Sequence, residues 1–437
     1  MVDALSSNRA TMAPAYQSTE IGPIPSDWLL PNLGELCEFI NGDRGVNYPS
    51  KKDFVPLGIP FVNAGHLLNQ RVNFSDADYI TIEKFNSLGG GKYQPGDLLY
   101  CLRGSLGKFA SIEPGTATGA IASSLVIVRP IKGRVTQAYL KEYFLSEYSN
   151  QMIKLWAGGA AQPNLGAQDL ARFSVPLPPK LDEQELITQA LSKTDALIEA
   201  LAKLISKKRA IRAGATEDLL SGHTRLSGFR GDWDRKTFSG IFDFYPTATN
   251  SRADLNDSGD TYYIHYGDIH TRFHSHLDFK LSQPPRIART KCRNAAYVRN
   301  GDWIMADASE DYDGVCKSIE VLGLGETDRV VSGLHTFLLR EKSPTFVPGF
   351  KGHLGNLKSL RDQYMRVMTG MKVFGVSKAA LKDLMLPVPS PKEQEAIVTI
   401  LSEMAADIVA LEEKLSKARL VKLGMMQQLL TGKVRLV

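Results

Sequence analysis

The phrase LLSGHTRL at residues 219–226 returns as LLTGKVRL at 429–436, 210 residues later. Extended backwards at the same offset, it becomes an ungapped alignment of 183–226 over 393–436, with 19 of 44 positions identical. A long internal repeat constrains the fold more than composition does, because it says that one structural unit is built twice.

The repeated segment is written as a helix. Upstream, VPLPPKLDEQE (175–185) matches LPVPSPKEQE (386–395), and proline sits where helices begin because it cannot donate an interior helical hydrogen bond. Asp182, Glu183 and Glu185 in one copy, and Glu393 and Glu395 in the other, suit the positive end of a helix dipole. Gly222 and Gly432 stand where helices stop. Between these limits Ile187, Leu191, Thr194, Ile198, Leu201 and Ile205 step by four and three, as do Ile397, Leu401, Met404, Ile408, Leu411 and Leu415. That alternation predicts a coiled-coil seam. Each helix is expected to run about 39 residues, or roughly 58 Å. A soluble helix of that length needs a partner to cover its apolar stripe, and the simplest partner is its own repeat.

Fainter likenesses extend the duplication over the remaining chain. IGPIPSDWLLPNLGELCEFI (21–40) faces LSGFRGDWDRKTFSGIFDFY (226–245), with Trp28 over Trp233. YQPGDLLYCLRGS (93–105) faces YVRNGDWIMADAS (297–309), with Gly96-Asp97 over Gly301-Asp302. GAIASSLVIVRP (119–130) faces RVVSGLHTFLLRE (329–341). Short alternating strands broken by Gly and Pro turns predict mixed α/β domains. The expected fold is therefore α/β (mixed α+β): two variable domains separated by two long antiparallel coiled-coil helices, with an internal pseudo-two-fold axis. The expected segments are a flexible leader 1–20, a first domain 21–180, a first long helix 181–222, a second domain 223–390 and a second long helix 391–437.

Composition sets bounds on function. The chain is 43% hydrophobic and 23% charged, as ordinary globular proteins are. No apolar run long enough to span a bilayer is present, and the polar start is unlike a secretory signal. Cys37, Cys101, Cys292 and Cys316 are scattered, which reads as reduced thiols in a cytoplasmic protein. A net charge of +5 permits nucleic-acid binding without demonstrating it. Catalytic signatures are missing. GGGKYQ (89–94) lacks the Ser or Thr of a phosphate loop, and there is no nucleophile elbow. QPPR (283–286) is wrong at both ends for an amino-methyltransferase tetrapeptide. His270, His274 and His276, and the acidic DASEDYDG (307–314), lack metal-ligand spacing and are expected to be surface loops. What recurs instead is loops mixing Arg, Lys, Asn, Gln, Ser and Gly, side chains suited to base edges and phosphates. They are NGDRGVNYPSKK (41–52), LRGSLGK (102–108), AGGAAQPNLGAQ (157–168), TATNSRADLN (247–256) and MTGMKVFGVSK (368–378). Lys203, Lys207, Lys208, Arg209 and Arg212 form a basic run on the first helix.

These landmarks, in this order and duplicated, resemble the specificity subunit of Type I restriction–modification systems. GPIPSDWLLPNLGEL (22–36), QPNLGAQDLARFSVPLPPKLDEQ (162–184), LPVPSPKEQEAIVTIL (386–401) and the paired helix ends carry the likeness. The resemblance implies a subunit that is not an enzyme. Each variable domain would be a target-recognition domain that reads one half of a split double-stranded DNA site. The helices would fix the half-site spacing and dock two adenine-methyltransferase (modification) subunits, and restriction/translocase subunits would complete the complex. It implies no cofactor or metal of its own: S-adenosylmethionine, ATP and Mg would belong to partners. A Type II-like restriction or defence adaptor using the same module is the alternative. Two departures stand out: GFRGDW (228–233) keeps only the Trp of the first opening, and 370–389 lacks the Gln-Pro-Asn of 162–164. Loop position and side-chain chemistry nominate DNA contacts at Arg44, Asn47, Arg103, Ser105, Lys108, Gln162 and Asn164 in the first domain. In the second they nominate Asn250, Ser251, Arg252, Tyr266, Arg272 and Lys372.

Overall fold

The computed structural model describes residues 15–436 except 21, 158–163, 274 and 356. Two long helices dominate: α1 (Leu181–Ser221) and α2 (Pro391–Leu429). Gly222 and Gly432 follow them with φ of +75° and +68°, the left-handed conformation that ends a helix and that glycine adopts without a side-chain clash. The chain divides into two compact units, one of residues 1–202 and 414–437, the other of 203–413. Each unit thus holds one α/β domain, the beginning of one long helix and the end of the other.

The first unit carries two four-stranded sheets. Its strands are β1 (Cys37–Asn41), β2 (Phe54–Val62), β3 (Asp78–Ile80), β4 (Lys92–Tyr93), β5 (Leu98–Cys101), β6 (Phe109–Ser111), β7 (Gly119–Ile121) and β8 (Leu125–Pro130). One sheet has the order β6-β5-β8-β1 and the other β3-β2-β7-β4, with β2 and β7 parallel. Tyr16–Thr19 is itself a strand paired with Gly22–Pro25, where a flexible leader was expected. The Gln17 side chain donates to the Trp28 carbonyl at 2.8 Å, so these residues are tied to the domain. The rest of the expected leader, 1–14, lies outside the described residues.

The second unit repeats this plan with β9 (Phe242–Tyr245), β10 (Thr261–Ile264), β11 (Ser275–Asp278), β12 (Arg286–Ile287), β13 (Trp303–Ala306), β14 (Ser318–Leu322), β15 (Val330–Ser332) and β16 (Thr336–Glu341). Its sheets run β9-β16-β13-β14-β11 and β12-β10-β15, and β10 and β15 again pair in parallel. β11, added beside β14, has no counterpart in the first unit's described strands. The Gly-Asp landmarks do the same work in both. Asp97 takes Arg129 of β8 at 2.8 and 2.9 Å, and Asp302 takes Arg340 of β16 at 2.8 and 2.6 Å. Both aspartates are buried, so the bidentate pairing offsets their desolvation.

The duplicated phrase explains how each domain holds its helices. In the second unit Arg225, just beyond α1, pairs with Glu393 in the first turn of α2 at 2.6 and 2.8 Å. Trp233 donates to the same carboxylate at 2.9 Å. In the first unit Arg435, just beyond α2, pairs with Glu183 in the first turn of α1 and with Asp27 at 2.9 Å, its guanidinium 5.7 Å from the Trp28 ring centroid. Gln184 and Gln394, the next residues, are fully buried clamps. Gln184 accepts from the Thr136 N–H and donates to the carbonyls of Arg134 and Pro178. Gln394 accepts from Val347 and donates to Thr345 and Pro389. The EQ pair therefore joins each helix start to its own domain and to the tail of the other helix.

The helices run antiparallel within each unit. In the first, Asp195 meets Lys422 at 2.7 Å and Thr194 meets Met425, while Ile187 and Leu191 share a core with Met426, Leu429 and Leu430. In the second, Lys208 meets Asp407 at 2.9 Å, and Leu219 and Leu220 share a core with Ile397 and Leu401. Of the seam residues, Ile187, Leu191, Ile205, Ile397, Leu401 and Ile408 are buried, and Ile198, Leu201, Leu411 and Leu415 are half-buried. All four cysteines are free and buried. No helix among the described residues is long and apolar enough to cross a membrane.

Candidate nucleic-acid interface

The first unit has an open cleft of about 600 Å³ where the segments following β1 and β5 meet residues 164–169. It is built on a backbone ladder: Arg103, just past β5, is bridged to Asn164, and the Leu165 N–H donates to the Leu102 carbonyl at 3.0 Å. Arg44 and Gln168 join them at the wall. Gly42 is required at the base, since a Cβ there would lie 2.7 Å from the Ile121 carbonyl oxygen. Asp43 accepts from the Gly89 N–H at 2.6 Å and fixes the loop that carries Arg44. The side chains of Arg44, Arg103, Asn164 and Gln168 are exposed, and neither arginine has an ion-pair partner among the described residues. This leaves a guanidinium–amide edge that can address guanine and adenine or a phosphate.

The other first-unit candidates fall around this cleft or outside it. Asn47 ends a short turn, Gly45–Asn47, and is exposed. Ser105 is exposed in the turn after Arg103. Lys108 is turned inward, its Nζ donating to the Ala64 carbonyl at 2.8 Å. Gln162 lies outside the described residues.

The second unit uses the same ladder with different side chains. Ala308 takes the place of Arg103, pairing with Gly375, and the Val376 N–H donates to the Asp307 carbonyl at 3.0 Å. Around it stand Tyr266, nominated from the sequence, and several groups that were not. His335 Nδ1 lies 3.3 Å from Asp307 Oδ1. Tyr266 packs edge-on to both His270 and His335, and Tyr312 stacks on Phe374 at 4.2 Å. Burial pushes the Asp307 carboxyl up and the His270 imidazole down. Tyr266 was signalled by its loop, and the position of Asp307 just past the repeated Gly-Asp strand was the signal for the rest of the cluster.

Among the residues expected in this unit, Tyr266 belongs to the cluster and the adjoining turn gathers the next three. Arg252 pairs with buried Asp268 at 2.8 Å, Ser251 precedes it, and the Asn250 carbonyl accepts from the Tyr263 hydroxyl. Arg272 is drawn back by Ser282 and the Gln283 carbonyl. Lys372 is exposed on a separate turn beside Met371. The histidine-rich stretch does not gather. His270 reaches the Ala308 carbonyl, His276 the Gly349 carbonyl at 2.7 Å, and His274 lies outside the described residues. No group of three metal-ligating side chains occurs among the described residues.

Comparison with known proteins agrees on kind. Residues 25–207 match the family model of the Type I restriction modification DNA specificity domain. The protein named as the MjaX type I restriction enzyme specificity subunit of Methanocaldococcus jannaschii is 25% identical over 228 residues, 51% of this chain and 50% of that one. The MjaVIII specificity subunit of the same organism is 25% identical over 226 residues, 48% of this chain and 50% of its own. The chain thus spans about half the length of the curated relatives it matches. A chain from a study of type I R-M complex assembly and conformational transition superposes with a TM-score of 0.62 at 15% identity, over 94% of this chain and 99% of that one. The HsdS subunit from Thermoanaerobacter tengcongensis gives 0.52 at 15% identity, over 94% and 98%. These superpositions speak for the fold.

Proposed function

We infer that this chain, a member of the Type I restriction–modification specificity family, is the non-catalytic DNA-reading subunit of such a complex. Each α/β domain, 21–180 and 223–390, reads one half of a bipartite double-stranded DNA site. The observation that carries the reading is the repeated backbone ladder, Arg103–Asn164 in one unit and Ala308–Gly375 in the other. One frame presenting two different sets of side chains is what two half-sites of different sequence require.

The long helices hold the half-site readers and dock two adenine-methyltransferase subunits. S-adenosylmethionine, ATP and Mg belong to those partners and to the restriction/translocase subunits, and the complex works in the cytoplasm. Arg44, Arg103, Asn164 and Gln168 contact base edges or phosphate in the first domain. Tyr266, Asp307, His335, Arg252 and Lys372 do so in the second. An aspartate can accept from cytosine N4 and an arginine can address guanine, so the two domains differ in the bases they prefer.

The test is single-molecule sequencing for N6-methyladenine in cells that carry the chain with its neighbouring methyltransferase, and in cells that lack the chain. A split motif with an unspecified spacer, present only with the chain, is expected. Methylation that is absent, or confined to one continuous motif, overturns the reading.

A further inference from the structure

The two units differ at one matched position inside their helix–domain junctions. In the first, Lys422 of α2 is neutralised by Asp195 of α1 at 2.7 Å and faces the buried carboxylate of Glu142 at 3.9 Å. The repeat offset of 210 maps Lys422 onto Arg212 and Asp195 onto Ala405. Glu142 maps onto His353, because each lies six residues beyond the N–H clamped by the buried glutamine, Thr136 in one unit and Val347 in the other. The second unit therefore keeps the cation and lacks both carboxylates.

The space left is a cavity of about 380 Å³ lined by Arg209, Arg212, Thr216, Glu217, Ser275 and His353. Arg212 has no ion-pair partner among the described residues, and its Nε is buried without a hydrogen bond. His353 is 4% exposed, and its Nε2 is likewise unpartnered. Burial holds this imidazole neutral, its pKa pushed down to about 3 with help from His276 and Arg212. A buried polar group left unmet costs about 1–3 kcal/mol, and here two of them, Arg212 Nε and His353 Nε2, border one cavity.

We propose that this cavity is a carboxylate site, filled by an acidic side chain of a partner polypeptide in place of the missing Asp195 and Glu142 equivalents. The claim rests on the reading of this chain as a subunit of a larger complex, and it places one partner contact at Arg212 and His353. A side chain on a flexible stem can reach a recessed Nε and imidazole. A duplex phosphate, flanked by its sugars, reaches surface groups. Glu217 at the wall, which accepts from the Lys358 N–H, and Glu412, paired with Arg209, also disfavour a polyanion more than a single carboxylate.

The test uses the full chain co-purified with its methyltransferase subunit, alongside R212A and A405D. A405D restores the internal carboxylate. It is expected to raise the thermal midpoint of the chain, because it satisfies Arg212 from within, and to weaken methyltransferase binding at least tenfold by occupying the site. R212A is expected to weaken that binding to a similar extent while the chain stays folded. Unchanged partner affinity in both variants overturns the proposal and leaves the DNA-reading function standing. A lower DNA affinity with unchanged partner affinity also overturns it, in favour of a phosphate site. If the wild-type chain fails to bind the methyltransferase at all, the subunit reading itself falls, and this proposal with it.

Discussion

At the scale of the residue, duplication separates what the fold needs from what each unit does alone. Arg225 and Arg435 stand in the same short phrase, and each pairs with a glutamate whose side chain is 2% exposed. Removing one partner of such a pair leaves a buried charge unmet, which costs about 3–5 kcal/mol. R435A is accordingly expected to lower the denaturant midpoint strongly, and E183Q in the same chain to restore part of the loss. Equal stability of R435A and wild type in urea would show that the pair carries little. His353 makes a second prediction. Its folded pKa of about 3 lies below the ordinary imidazole value of 6.5, so the unfolded chain binds more protons between those values. Stability then rises with pH across that window and is lost as pH falls from 6.5 towards 3, by up to about 1.4 kcal/mol per pH unit. H353Q is expected to flatten that acid limb in a series of melts at stepped pH. The arginines were visible in the sequence as repeated letters, but not their role. Arg225 and Glu393 are 168 positions apart and Arg435 and Glu183 are 252 apart, distances that no local pattern bridges. The acidic residues at each helix start were expected to answer the helix dipole. The structure adds that Glu183 and Glu393 are the anchors of the ion pairs.

At the scale of the element, the long helices were the most legible feature because a 3.5-residue period, a proline start and a glycine stop all act within a few residues of one another. The burial along the seam is uneven for a reason the period cannot carry. Leu191 and Leu401 are fully buried in cores that also hold domain side chains and the tail of the other helix, whereas Leu201, Leu411 and Leu415 are half-buried and lie outside those cores. Helix stability thus comes mostly from docking onto each domain. Leu401→Ala is expected to cost about 2–5 kcal/mol, in the range of buried leucine truncations. Leu415→Ala, half-exposed, is expected to cost clearly less. Denaturant titration of both variants checks the order, and a reversal would assign the stability to the helix pair instead. Loops were less legible than helices. The sequence placed Gly96-Asp97 over Gly301-Asp302, an offset of 205 that carries Leu102 onto Asp307 and Arg103 onto Ala308. Hydrogen bonding keeps that register, with Leu102 matched to Asp307 and Arg103 to Ala308. Side-chain direction was what the letters could not carry: Lys108, nominated as a contact, is turned in on a carbonyl, and Asp307, read only as part of an acidic surface loop, stands beside His335 at the ladder.

At the scale of the whole molecule, the question is whether two copies of one frame read independently. Each unit has its own sheets, its own buried clamp and its own ladder, and the side chains on the two ladders share almost nothing. Independence has a sharp consequence. R103A removes one exposed guanidinium from the first unit's ladder and leaves every second-unit contact in place. A good bidentate contact to a base discriminates by about 1–3 kcal/mol, roughly a ten- to hundredfold change in preference. In the R103A chain, N6-methyladenine mapping is therefore expected to show one half of the split motif relaxed at a single base. The other half and the spacer should be unchanged. K372A, on an exposed turn of the second unit, is expected instead to weaken DNA binding across sequences and to lower its salt dependence, as loss of a phosphate contact does. If R103A altered both halves together, the units could not be independent readers. The repeat would then record only how the protein is built, and not how it recognises DNA.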